Sequence, residues 1–306
     1  MKNTTELSAD TPKRKHRLTI AQRQSLTGWA FLFVGAALIV WMNFYPMVRA
    51  FILSLQSGVG QNMHFVGATN FQRLIQDNHF RQTLLNTFTY LIVQVPIMLL
   101  LGLVLASMLN NPRLKAKGFF RTAIFLPCAV GLVAYSLVFR QMFAMDGLIN
   151  TVLVNIGILE SGFNWLGTAW SARLVIILGL LWRWTGFNMI FYLAGMQNID
   201  RSIYEAARVD GANVFQQFWR ITLPLLKPII LLTAIMSTNG TLQLFDESFN
   251  LTSGGPGIAS MSMSHYVFHT AFMGQPTIGY AAAISFVIFI LVAMLAFIQL
   301  KVGDRR

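Results

Sequence analysis

The residues between positions 200 and 228 form the most informative stretch of the chain. They read Asp200-Arg201-Ser202-Ile203-Tyr204-Glu205-Ala206-Ala207-Arg208-Val209-Asp210-Gly211-Ala212 and continue to Leu223-Pro224 and Lys227-Pro228. Ser202 and Glu205 have the spacing of a capping box, so a helix is expected to start there. Gly211 permits a turn that a residue with a Cβ resists. Asn213 can cap a second short helix, and Pro224 and Pro228 are expected to end it. The product is a compact helix–turn–helix, a structured loop with short amphipathic helices. A capping glutamate on a surface loop explains Ser202 and Glu205. It does not explain why Glu205, Ala206, Ala207, Asp210, Gly211, Ala212, Ile221, Leu223 and Pro224 occur together in this order.

A second chemistry is carried by Arg183, flanked by Trp182 and Trp184 within an otherwise charge-free run from Leu174 to Ile199. An ionisable residue inside an apolar span costs roughly 2.5–3.5 kcal/mol on insertion scales, which marks it as a candidate functional group. Indole faces stack on sugar rings and a guanidinium can hydrogen-bond hydroxyls. Arg183 could equally hold helices together by pairing with a carboxylate or a backbone carbonyl, with Asp246 and Glu247 as candidate acids. Further on, Ser237, Gly240, Thr241 and Leu244 recur at i, i+3, i+4 and i+7 and share one face. Such a stripe either packs helices closely or lines a cavity.

Other chemistry is excluded. No G-x-x-x-x-G-K-[ST] occurs, so the chain has no phosphate-binding P-loop of its own. Ser253-Gly254-Gly255-Pro256-Gly257 lacks the lysine and reads as a turn. His265 and His269 are four apart but have no nearby third ligand, so neither a metal site nor a cofactor is expected. Cys128 is the one cysteine, and no nucleophile–base constellation is present.

The elements that must position these residues follow from composition. Of 306 residues, 55% are hydrophobic and 11% charged, against about 25% charged in a soluble domain. The solvent of this chain is therefore mostly lipid, and its 25 Phe and 15 Met rule out disorder. The hydrocarbon core is about 30 Å thick and needs roughly 20 apolar residues. Apolar runs predict an all-α membrane protein with six spans, about 24–48, 84–110, 122–139, 174–199, 228–245 and 279–300. The first is read as an anchor rather than a signal peptide, because its run is long and no small-residue cleavage site follows. A basic tail covers 1–23 and a short terminus 301–306.

The net charge of +12 reflects loop placement, not nucleic-acid binding. With both termini in the cytoplasm, seventeen Lys and Arg lie on that side: six in the tail, four from Arg113 to Arg121, four from Arg201 to Lys227, and Lys301, Arg305 and Arg306. Arg49, Arg73, Arg81, Arg140 and Arg173 fall outside. This asymmetry predicts cytoplasmic termini and a cytoplasmic 200–228 loop between the fourth and fifth spans.

The order Glu205-Ala206-Ala207, Asp210-Gly211-Ala212 and Ile221-x-Leu223-Pro224 resembles the EAA loop of ABC importer permeases over about 25 residues. Phe120-Arg121-Thr122-Ala123 with Leu126-Pro127, Asp146 to Asn150, Phe245-Asp246 with Leu251 to Pro256, and Gly279 to Ile284 resemble the carbohydrate-uptake branch, which includes maltose and glycerol-3-phosphate permeases. The likeness covers most of the chain from the second span onward.

The resemblance implies that the loop is a coupling helix seated in a cleft of a separate ATPase subunit, with Tyr204, Glu205, Ala206, Ala207, Asp210, Gly211 and Ala212 at the contact. It implies a second homologous permease, two ATPase subunits carrying ATP and Mg, and an extracytoplasmic sugar-binding protein. The expected function is alternating-access import of a sugar or oligosaccharide across a bacterial cytoplasmic membrane, with no catalysis by this chain. The expected substrate path is Arg183, Trp184, Phe187, Ser237, Gly240, Thr241 and Leu244. A glycerol-3-phosphate-type substrate is the nearest alternative, since Arg183 would suit an anion. An ion-coupled secondary transporter is a rival of another class, but it should show an intramembrane carboxylate, and the spans contain none.

Overall fold

The computed structural model describes residues 19–58 and 62–303. The basic tail up to residue 18, together with Arg305 and Arg306, lies outside the described residues. Among the described residues five helical runs are long and apolar enough to cross a membrane: Thr27–Ser54, Asn78–Asn110, Ala169–Gln197, Val214–Leu242 and Ile278–Gly303. A sixth candidate is a bent pair of shorter helices. The chain divides into two compact units between Arg49 and Ala50.

In the first unit, α1 (Ile20–Ile39) passes through a π-helical turn (Val40–Phe44) into α2 (Tyr45–Ser54), whose residues from Ala50 on belong to the second. Trp29, Phe31, Phe33 and Trp41 are all exposed. A helix apolar on every face is a helix whose surroundings are lipid.

The second unit holds the remaining elements. A short hairpin of β1 (Gln56–Ser57) and β2 (His64–Phe65) precedes α3 (Thr69–Gln76) and α4 (Asn78–Asn110). Asp77 caps α4 by accepting from the His79 N–H at 2.8 Å. With 33 residues, α4 is about 50 Å long and exceeds the hydrocarbon core. α5 (Lys117–Ala129) and α6 (Leu132–Met142) follow, then α7 (Leu148–Asn155) and α8 (Ala169–Gln197). Beyond them come α9 (Arg201–Val209), α10 (Val214–Gln217), a π-helical turn (Phe218–Thr222), α11 (Leu223–Leu242), α12 (Asp246–Asn250), α13 (Met263–Phe272) and α14 (Ile278–Gly303).

The core is built on α8. Met189, Tyr192, Leu193 and Met196 of that helix pack with Leu103, Ala106 and Leu109 of α4 and with Leu226 of α11. Val175, Ile176 and Leu180 pack with Tyr90, Tyr135 and Phe139. Gly186 lets α8 meet the backbone of α5, since a Cβ there would collide with the Ile124 carbonyl. A third cluster joins Leu242, Met263, Tyr280 and Ile284. At its edge, Tyr266 and Tyr280 both donate to Asp77 Oδ2, at 2.6 and 2.5 Å.

Three expectations need correction. The span expected over 122–139 is not one helix: α5 and α6 meet at a 98° bend. Pro127 sits near the end of α5, and Val130 and Gly131 are extended. Pro224 and Pro228 do not end a helix. They lie within the first turns of α11, just past the π-helical turn at Phe218–Thr222, and the helical run continues from Val214 to Leu242. The capping box of Ser202 and Glu205 does not form, because Asp200 is the cap and accepts from the Ser202 N–H at 3.0 Å.

Candidate substrate cavity and coupling loop

The middle of α4, the middle of α8 and the end of α11 enclose a cavity of about 340 Å³, closed at one side by α12. Trp184, Phe187, Ser237, Gly240, Thr241 and Leu244 line it. Leu244 reaches this place without the helical phase expected of it. α11 stops at Leu242, and the Leu244 N–H closes a turn onto the Thr241 carbonyl at 3.2 Å.

Arg183 does not line the cavity. It is 5% exposed, and its Nη1 donates to the Val130 carbonyl at 2.7 Å while Nη2 lies 3.5 Å from the Cys128 carbonyl. These carbonyls belong to the last turn of α5, where helical partners run out and the dipole favours a cation. The guanidinium also lies over the Tyr135 ring at 5.0 Å and the Trp184 ring at 5.4 Å. Of the two readings of Arg183, the geometry is that of a backbone-carbonyl clamp across the break between α5 and α6.

The cavity contains amides that the sequence reading passed over. Gln94 Oε1 accepts from Thr241 Oγ1 at 3.1 Å, and Gln94 Nε2 lies 3.0 Å from Met98 Sδ. Asn188, 1% exposed, donates through Nδ2 to the Trp184 carbonyl at 3.1 Å. Its Oδ1 is buried and has no hydrogen-bond partner among the described residues. The signal was available, because Gln94 and Asn188 are amides inside apolar runs. Asp246 and Glu247 also line the cavity. Burial holds the Glu247 carboxyl above the usual carboxylate range, with the nearby Arg183 charge acting the other way. Rings, amides, hydroxyls and carboxylates around a space of this size suit a polyhydroxylated ring better than an aliphatic ligand.

His265 and His269 do not form a pair. His265 is buried, its Nδ1 is 2.9 Å from Ser248 Oγ, and it packs edge-on to Phe249. Burial lowers its pKa to about 4. His269 is exposed. The Ser253–Gly257 stretch is a turn, with positive φ at Ser253, Gly254 and Gly257.

The 200–228 loop presents α9 to solvent: none of its residues is buried, and Glu205, Ala206 and Asp210 are exposed. Gly211 adopts φ +81°, and the Ala212 N–H reaches back to the Ala207 carbonyl at 2.8 Å, as in a Schellman end. Asn213 and Gln216 form a reciprocal capping box on α10. The Tyr204 hydroxyl meets Thr222 Oγ1 at 2.9 Å and ties α9 to the start of α11. With Asp200 as the cap, Glu205 is free of the capping role and open to a partner.

A bundle of apolar helices around a ring-lined cavity that carries a few polar groups, with an exposed helical loop between two of them, defines a membrane-embedded transport subunit. The chain belongs to the family of binding-protein-dependent transport system inner membrane components, which matches residues 78–305. It is 47% identical over 292 residues to the lactose transport system permease protein LacF of Rhizobium radiobacter, covering 95% of this chain and 98% of that one. It is 34% identical over 287 residues to the trehalose/maltose transport system permease protein MalF of Thermococcus litoralis, covering 93% and 96%. A chain in the crystal structure of a bacterial ABC transporter involved in the import of the acidic polysaccharide alginate shares the fold, with a TM-score of 0.81 at 22% identity over 92% of this chain and 96% of that one. The protein is thus a multi-pass permease subunit of an ABC importer, and ATP hydrolysis belongs to separate subunits.

Proposed function

We propose that this chain imports a sugar or oligosaccharide delivered by an extracytoplasmic binding protein, and that the cavity between α4, α8 and α11 is its path. The observation that carries this reading is the lining itself: Trp184 and Phe187 offer ring faces, and Gln94, Asn188 and Thr241 offer hydrogen-bonding groups within one space. The name of the lactose permease relative supports a disaccharide. Both termini face the cytoplasm of a bacterium in this reading, on the strength of the Lys and Arg asymmetry. The chain works with a second homologous permease and two ATPase subunits. It binds no cofactor itself, and ATP and Mg act in those partners.

The loop of α9 and α10 is the coupling element. Tyr204, Glu205, Ala206, Ala207, Asp210, Gly211 and Ala212 dock in an ATPase cleft: alanines let the helix approach closely, and Glu205 meets a basic group. Closing of the ATPases draws the loops together and turns the cavity from one face of the membrane to the other.

The test is a tagged purification from native membranes, wild type beside Gly211→Pro, followed by mass spectrometry and by ATP-driven uptake of labelled lactose into vesicles. Recovery of an ATPase and a second permease with wild type, and loss of the ATPase with Gly211→Pro, is the expected result. A wild-type chain recovered without any ATPase overturns it.

A further inference from the structure

We propose that the cavity selects uncharged sugars and turns anionic sugars and polyol phosphates away, with Asp246, backed by Glu247, as the discriminating residue. This deepens the substrate-path reading above and rests on it.

Among the described residues no Lys, Arg or His lines the cavity, and its ionisable lining residues are Asp246 and Glu247. Arg183, the cation that would suit a phosphate or carboxylate, lies behind the lining: Nη1 is on the Val130 carbonyl, Nη2 is 3.5 Å from that of Cys128, and its charge acts on Glu247. Asp246 makes no ion pair within 4.0 Å among the described residues. A low-dielectric space bordered by an unpaired carboxylate repels anions far more than open water would.

The hydrogen-bonding pattern points the same way. The buried Oδ1 of Asn188 is an acceptor without a donor. Thr241 already spends its hydroxyl proton on Gln94 Oε1 and the Ser237 carbonyl. The Nδ2 of Asn188 is engaged by the Trp184 carbonyl. Asn188 Oδ1 is thus open to a donor, which a sugar hydroxyl supplies. An ionised carboxylate or phosphate group placed against Asn188 brings only acceptors and leaves Oδ1 unsatisfied, at the cost of a buried polar group without a partner. Trp184 and Phe187 complete the site with a face for the C–H side of a ring, which needs no charge.

The test places a thiol in the cavity of the full chain, assembled with its co-purifying subunits in lipid nanodiscs. Ser237→Cys is built on Cys128→Ala, with Gln243→Cys as a second reporter should the first fail to assemble. Each is labelled with a cationic and an anionic methanethiosulfonate of similar size, and the rate ratio is normalised to that of a free thiol. The expected normalised ratio favours the cation by on the order of tenfold, falling to near unity in Asp246→Asn with Glu247→Gln. Lactose slows the labelling, and lactobionate, its aldonate, does not at the same concentration. A ratio near unity in wild type, or one unchanged by neutralising the two acids, overturns the charge selection even if lactose protects. A cation bias with protection by neither sugar overturns the substrate-path reading, and the proposal with it. Equal protection by lactobionate overturns the proposal and leaves the substrate path standing.

Discussion

Arg183 donates a 2.7 Å hydrogen bond to the carbonyl of Val130, the residue at which α5 ends. One side chain of α8 thereby holds the break between α5 and α6 from a helix distant in sequence. Replacing it by methionine keeps the volume and strands the carbonyls. The expected loss is about 2–3 kcal/mol of stability, read as a lower unfolding temperature in nanodiscs, with Arg183→Lys recovering part because a point charge cannot serve two carbonyls as a planar fork does. Uptake abolished at unchanged thermal stability would show instead that Arg183 serves the substrate.

Asn188→Leu removes the unpaired acceptor while keeping the side chain's bulk. KM for sugar uptake is expected to rise by about tenfold, equivalent to about 1.4 kcal/mol, and Trp184→Ala should act similarly through lost stacking. Unchanged KM in both variants would place the substrate elsewhere.

Gly211 holds φ +81° with open space around it, so alanine there meets strain but no collision. The strain is about 1–2 kcal/mol and confined to the turn between α9 and α10. Gly211→Ala should weaken stimulation of the ATPase while thiol labelling at Ser237→Cys stays protected by sugar. Loss of sugar protection in this variant would argue against separate coupling and binding regions.

Asp77 supplies a pH dependence. Burial pushes its carboxyl up, but hydrogen bonds from Tyr266, Tyr280 and the His79 and Phe80 N–H groups outweigh that, and the net pKa is lowered. A lowered carboxylate pKa gives stability that is full above the unfolded value, about 3.9, and fades as pH falls through the folded value. The junction of α4, α13 and α14 should therefore loosen on acidification below about pH 4, and Asp77→Asn should flatten that loss. Identical acid unfolding profiles for the two would remove Asp77 as the cause.

Much of this architecture was legible because lipid imposes simple rules. The apolar runs over 84–110, 174–199 and 279–300 overlap α4, α8 and α14, with the first beginning six residues inside α4. The bend between α5 and α6 was hidden, since Pro127 and Gly131 sit in a run as apolar as any helix and the clamp that stabilises the break comes from Arg183, 53 positions beyond Val130. The stripe of Ser237, Gly240 and Thr241 was readable from period alone. Gln94 and Asn188 were not picked out, because an amide inside a span reads equally as a helix-packing group until its neighbours are known. The cap at Asp200 was missed because two overlapping capping patterns start within three residues, and local backbone geometry decides between them.

Tyr204, joined to Thr222, stands at the base of a helical run that reaches Leu242 with Gly240 and Thr241 near its far end. That run holds 29 residues, about 43 Å of unbroken rise. The run is continuous in helical structure, so it can act as a drive shaft that carries a tilt imposed at Asn213 toward Ser237 as displacement. Its π-helical turn at Phe218–Thr222 adds a residue to the winding there and so sets the angular phase between the loop's outer face and the stripe. Removing one residue from that turn would rotate the stripe by about 100° relative to the loop while leaving both ends folded, uncoupling the machine by mistiming rather than by breakage.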